Sequence, residues 1–385
     1  MENNFIDLHC HPAMKPFGKS FNSNKGENNT NRRAANSIWH YDPPTVFDKA
    51  LNIAVSLTKF TQADFSTLAY GGSHVVIVSL YPPEKGWVID KLGTKQNADS
   101  LKNLVMGVGQ KRIDYLQQMP DYFTDLEMEY NFYRQLDGKE MKIEGERCRY
   151  SMVSVFDEIE QEPEKGIKTI YVVLTIEGAN VFNTGLKAMG RVTKEQEVLN
   201  NIDKVKKWDK RLFFMGLTHH FYNEICGHAK SLTSLSKISA DQSEGLDTGF
   251  TILGKKVLKK LLDKTNGKRI LIDIKHMSVQ SRNEYYEMLK KDYVNENIPL
   301  IVSHGAVNGF RSSRERVIDN QNTYGKFQEE DINFFDDEII KVAVSGGIFG
   351  IQLDERRVGS KSEIKKTKGN MNRRDMLFYK SRLIW

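Results

Sequence analysis

Cysteine is scarce in this chain: Cys10, Cys148 and Cys226 are the only three in 385 residues. Three scattered thiols make neither a disulfide framework nor a zinc-ribbon pattern, so the expected compartment is a reducing, cytoplasmic one. Long hydrophobic runs are lacking too. No stretch approaches the ~20 apolar residues of a membrane span. Met1 leads into Phe5-Ile6-Asp7-Leu8-His9 without the basic patch and apolar run of a secretory signal. Neither sign of charge dominates, since 56 Lys and Arg against 50 Asp and Glu leave a formal net charge of +6. Much of the surplus sits late, at Arg356-Arg357, Lys365-Lys366, Lys368 and Arg373-Arg374. No aromatics interleave with it, so a solvated connection is expected there and no nucleic-acid partner. Internal repeats and coiled-coil heptads are absent.

What the chain does have is a 39% hydrophobic content, enough for one large domain over residues 1–385. Short apolar, partly β-branched runs recur at Phe5–Leu8, Val75–Leu80, Thr169–Thr175, Leu212–Leu217, Ile270–Ile274, Leu300–Val302 and Ile348–Leu353. They read as buried parallel strands. Amphipathic stretches lie between most of them. Over Phe250–Leu262 the apolar residues share one helical face and lysines fill the other. A second helix is expected from about Val279 to Lys291. Alternating strands and helices imply a parallel α/β barrel, but seven strands fall one short of the eight that close it. Residues 15–44, rich in Asn, Ser, Lys and Gly, read as a long irregular loop, and Gly359–Asn372 as a polar loop or mobile segment.

The histidines carry the chemistry. In Asp7-Leu8-His9-Cys10-His11, the strand period of two puts His9 and His11 on one side, where two imidazoles can share a metal ion. Cys10 points the other way, into packing. His276 and His304 each follow an apolar run and lie 28 residues apart, about one helix plus one strand. That makes them neighbours on the C-terminal rim of a barrel. Each alone would pass as an ordinary core histidine; together with His9 and His11 they point to a metal site. Glu177 also ends a strand, and a carboxylate among histidines suits a ligand bridging two metals. In Leu217-Thr218-His219-His220 the two rings should face opposite sides, so at most one enters the pocket, there to polarise a carbonyl or oxyanion.

These segments, in this order, resemble the membrane (renal) dipeptidases, zinc metallopeptidases of the amidohydrolase type. The matching motifs are Asp7-x-His9-x-His11, Gly71-Gly72-Ser73 before Val76–Tyr81, Glu177-Gly178, Leu217-Thr218-His219 with Asn223, Ile272–Ser278, and Ser303-His304. The resemblance covers nearly the whole chain. It implies a (β/α)8 TIM barrel holding two Zn2+ ions. His9, His11 and Glu177 would hold the first ion, and Glu177, His276 and His304 the second. His219 or His220 would touch a dipeptide substrate, and Arg314 or Arg316 would bind its carboxylate. A homodimer is the assembly entertained. Mammalian members carry Asp at the position of His11, an equally good ligand. The family's eighth strand supplies a further metal-binding Asp. Here the chain ends at Leu383-Ile384-Trp385, in what reads as the helix before that strand, so it looks C-terminally incomplete. The alternatives are another metal-dependent amidohydrolase or phosphoesterase on the same barrel, or an inactive truncated barrel.

Overall fold

The computed structural model describes residues 5–49, 63–94, 96–159, 164–232 and 240–367. One sheet runs through the described residues. Its path contains β1 (Phe5–Cys10), β2 (Ser73–Leu80), β5 (Ile167–Glu177), β6 (Leu212–Gly216), β7 (Leu271–Asp273), β8 (Ile301–Gly305) and β9 (Ile348–Ile351), paired in that order and all parallel. These are the seven strands expected from the apolar runs, with ends shifted by a few residues.

The path curls into a barrel. His9 in β1 stacks on His304 in β8 with ring centroids 4.2 Å apart. A Cβ built on Gly350 in β9 would lie 3.3 Å from Leu8 Cδ1 in β1. Ile77, Phe214 and Ile301, with Leu8 against them, form a cluster drawn from four strands, the side-chain fill that makes such a barrel a solid core. Yet β1 and β9 share no ladder among the described residues. The result is a (β/α)8-type barrel, nearly closed, with one unsealed seam where an eighth strand was expected to be missing. Phe5 and Ile6 on one edge and Ile348 and Ile351 on the other are exposed there.

Two strands escaped the sequence reading. β3 (Met141–Ile143) and β4 (Glu146–Val153) form a hairpin through Glu144 and Gly145, both at positive φ (48° and 91°) as a tight two-residue turn requires. β4 then lies parallel to the first half of β5, and β6 takes over in its second half. β2 overlaps both stretches of β5, so β4 and β6 share its other edge.

Helices cover the outside. The segment expected as a helix over Phe250–Leu262 is helical at Ile252–Leu262 (α7), capped by the Thr251 hydroxyl on the Gly254 N–H. Val257, Leu258, Leu261 and Leu262 are buried on the apolar face. Gly254 lets this helix meet its neighbour, since a Cβ there would sit 1.9 Å from the Ile225 carbonyl oxygen. The second expected helix runs Val279–Asp292 (α8), capped by Ser278. Residues 15–44 are not irregular from the start. Met14–Ser20 form a helix (α1), because Phe17 packs on Phe132 and Pro16, Phe17 and Ser20 are buried; turns follow, anchored by the buried Ile38 and Trp39. Within the expected Gly359–Asn372 loop, Lys361–Thr367 are helical. Lys368, Arg373-Arg374 and Leu383-Ile384-Trp385 lie outside the described residues. No helix among the described residues is long and apolar enough to cross a membrane.

Candidate metal centre

Strand ends deliver the ligand candidates. Asp7 Oδ1 accepts the His9 N–H at 3.0 Å, and the register of β1 slips between Asp7 and Cys10, so strict alternation is broken. Both rings nevertheless reach Glu177. His11 Nδ1 lies 2.9 Å from the Ser79 carbonyl oxygen on β2. A carbonyl can only accept, so Nδ1 holds the proton and Nε2 presents its lone pair. Glu177 is the last residue of β5. Gly178 follows at φ +94°, where a Cβ would strike Asn180 Oδ1 at 2.3 Å. His276 leaves β7 in the left-handed region, φ +66°, a conformation uncommon for a non-glycine residue and one that tends to mark a functional site. His304 sits in β8 with Nδ1 2.8 Å from Ser303 Oγ.

The two oxygens of Glu177 divide these rings. Oε2 lies 3.0 Å from His11 Nε2 and 3.4 Å from His9 Nε2. Oε1 lies 3.3 Å from His276 Nε2, 3.4 Å from His219 Nε2 and 3.9 Å from His304 Nε2. Oε2 therefore faces His9 and His11, and Oε1 faces His219, His276 and His304, while the His9 ring stacks on His304 and so links the two sides. His276 and His304 turn their Nε2 atoms on each other at 3.2 Å. Five ring nitrogens converge on one buried carboxylate, and two trios of donors, His9 with Glu177 and His304, and His219 with His220 and His276, lie close enough to hold a metal ion.

The electrostatics agree. Burial opposes a charge on Glu177, but His219 and His9, with bonds from His11 and His276, outweigh it and hold the carboxyl well below its usual range. Burial drives His276, His220 and His304 well below the ordinary imidazole value, leaving them neutral as ligands must be. His11 shifts upward: burial pulls it down, but the bond to Glu177 and its charge, with the Glu129 charge and the Ser79 carbonyl, together outweigh that.

His219 and His220 do not behave as alternating strand residues. β6 ends at Gly216, so both lie in the following loop, and both rings join His276 in one cluster. The expectation that at most one enters the site fails because strand periodicity stops three residues before His219.

Neither Arg314 nor Arg316 contacts the histidines among the described residues. Arg316 pairs with Asp331 at 2.6 Å and lies over the Phe310 and Phe335 rings; Arg314 is exposed. Arg357 comes closer, donating to the carbonyl of Ser231, whose hydroxyl bonds His220. Lys275, beside His276, is buried, with its ammonium 3.4 Å from Gln352 Oε1; burial pulls it down to about 7.

Sequence reasoning also missed Glu84. It is buried after β2, 3.2 Å from His219 Nδ1, and accepts the N–H groups of His220 and Phe221. It follows an apolar strand as Glu177 does, so the same rule could have found it. Glu84 also borders a cavity of about 960 Å³ shared with Asn180, Phe221, Tyr222, Glu224 and Glu244. A smaller cavity of about 270 Å³ lies beside β8 and β9, away from the histidines. The donor chemistry, rather than cavity size, locates the centre.

No family model and no curated protein matches the chain. Among solved structures it is similar to the probable dipeptidase PvdM from Pseudomonas aeruginosa, at 15% identity and a TM-score of 0.41. The match covers 79% of this chain and 57% of that one.

Proposed function

We propose that this chain is a zinc-dependent dipeptidase, with two ions bridged by Glu177. The observation that supports this most is the division of the Glu177 oxygens between two sets of imidazoles. His9 and His11 would hold one ion, and His276 and His304 the other. Two zinc ions there would lower the pKa of a water and polarise an amide carbonyl.

The protein's own residues set up the rest. The Ser79 carbonyl and the Ser303 hydroxyl orient the rings of His11 and His304. One of the histidines at 219 and 220 stabilises the oxyanion. A cation takes the free carboxylate of the dipeptide; Arg314 and Arg316 are the candidates from sequence, and Arg357 is added by its link to the His220 loop.

Amides suit the surroundings better than phosphate esters. The adjoining cavity is lined by Glu84, Glu195, Glu224, Asp241 and Glu244 against Lys85 and Lys187, and the Lys85 ammonium turns away to the Leu116 and Met119 carbonyls. A phosphodiester would meet net repulsion there, whereas a dipeptide carries an ammonium that offsets its carboxylate.

The test is a substrate panel on the zinc-loaded chain. Free dipeptides should be hydrolysed and C-terminally amidated ones poorly. Equal rates on both would remove the carboxylate clamp, and turnover of phosphodiesters alone would favour a phosphoesterase. Zinc uptake with no turnover of any panel member would leave an inactive barrel.

A further inference from the structure

His219 and His220 are neighbours with ring centroids 3.6 Å apart, yet they are held in opposite ways. His219 turns Nδ1 toward the Glu84 carboxylate at 3.2 Å. The angle is too poor for a good hydrogen bond, but an anion that close calls for the proton on Nδ1. Nε2 then offers its lone pair toward Glu177 Oε1, as a ligand would.

His220 is anchored by a hydroxyl instead. Its Nδ1 lies 2.7 Å from Ser231 Oγ. Gln242 makes a second bond to that hydroxyl. The Gln242 carbonyl accepts the N–H groups of Ser231 (3.3 Å) and Leu232 (2.7 Å). That settles which end of the amide is oxygen. The amide NH2 therefore donates to Ser231 Oγ at 2.8 Å and to the His220 carbonyl at 2.6 Å. Ser231 Oγ accepts from Gln242 and has its own hydrogen to place, and the His220 Nδ1 lone pair is an acceptor within reach. With Nδ1 accepting, the neutral ring carries its proton on Nε2.

We infer that Ser231 and Gln242 are positioning residues that fix His220 as an Nε2–H donor, making His220 the group that hydrogen-bonds the substrate carbonyl while His219 sides with the metal ligands. This rests on the dipeptidase reading for the substrate, but the tautomer does not. A donor already oriented before the reaction needs no reorganisation when charge develops on the carbonyl oxygen, which is where such groups are worth most. Removing one typically costs about 10²–10³-fold in kcat.

The experiment uses the zinc-loaded full chain labelled with [15N]histidine, with His220→Gln to assign the resonance. Wild-type His220 should appear as the Nε2–H tautomer. Ser231→Ala should lose that preference and Ser231→Thr, which keeps the hydroxyl, should retain it. Both should keep full zinc content. His220→Gln should lower kcat by about 10²-fold or more with KM and zinc content little changed, and Ser231→Thr should restore most of what Ser231→Ala loses. An Nδ1–H tautomer in the wild type, or loss of zinc from His220→Gln, overturns the inference. If the zinc-bound wild type hydrolyses no dipeptide, the dipeptidase reading fails, and the tautomer spectra decide this inference on their own.

Discussion

His276 and His304, 28 residues apart in the chain, face each other with Nε2 atoms 3.2 Å apart across the ends of two paired strands. One neutral imidazole can donate and the other accept across that gap, or both can turn lone pairs on one cation. The left-handed backbone at His276 holds its ring there, and Ser303 sets the His304 ring from behind. Zinc binding separates the two cases, and that makes the metal reading testable without any substrate.

His276→Ala should therefore lower zinc affinity by about 10²-fold or more, as loss of a ligand exceeds the roughly 10–100-fold cost of losing an outer partner. Glu177→Gln should weaken both ions together, because it touches both sets of rings. Equilibrium dialysis with zinc measures this. Unchanged stoichiometry and affinity in Glu177→Gln would end the case for a bridging carboxylate.

The unsealed seam makes a second prediction. Ile6 is 61% exposed on β1, and Ile351 is 44% exposed on β9. Unpaired strand edges with apolar side chains invite pairing with other chains. Sedimentation velocity should show concentration-dependent self-association, and Ile6→Lys should reduce it while zinc uptake stays intact. Identical behaviour of the two proteins would mean that the seam is not the adhesive surface.

Arg112 and Asp125 support the helical cover outside β1 and β2. The pair is bidentate, 2.6 and 2.7 Å, and fully buried, with the guanidinium also over the Phe17 and Phe21 rings. Breaking such a pair strands a charge, so Arg112→Ala should cost about 3–5 kcal/mol in urea unfolding. The double change Arg112→Leu with Asp125→Leu should recover much of that. A loss below about 1 kcal/mol in the single variant would show that Asp125 finds water.

The barrel strands were legible because each is a short apolar run bounded by polar residues, and the convergence of His9, His11, Glu177, His276 and His304 because all stand at the ends of such runs. β4 was not, since Glu146–Val153 alternates polar and apolar residues on the edge it shares with β6 and gives no continuous signal. Periodicity misled at His219 and His220, where the strand had already ended. Nearness in sequence misled at Arg316, whose guanidinium is taken by Asp331. Glu84, Ser231 and Gln242 act through loops that meet only in three dimensions, so no local pattern marks the last two.

Glu129 gives the final prediction. It is wholly buried, and its Oε2 accepts the N–H of Tyr81 at 2.8 Å. The Tyr81 ring in turn packs against His11 and His219, so this carboxyl supports one wall of the centre. Burial pushes it up to about 7 from the ordinary 4.5. A carboxyl raised in the folded state binds its proton more tightly there than in the unfolded chain. Stability is then greatest below the unfolded value and falls as pH rises from about 4.5 to 7, and the penalty is fully present above that. The difference corresponds to about 3 kcal/mol by the linkage constant. Glu129→Gln keeps a carbonyl for the Tyr81 N–H and cannot ionise. It should match the wild type near pH 4.5 and exceed its stability by about 3 kcal/mol at pH 8, read as the difference in urea midpoints at the two pH values. A wild type that gains stability relative to the variant between those pH values would show that Glu129 is ionised and favourably paired, and that the wall behind Tyr81 is held by charge.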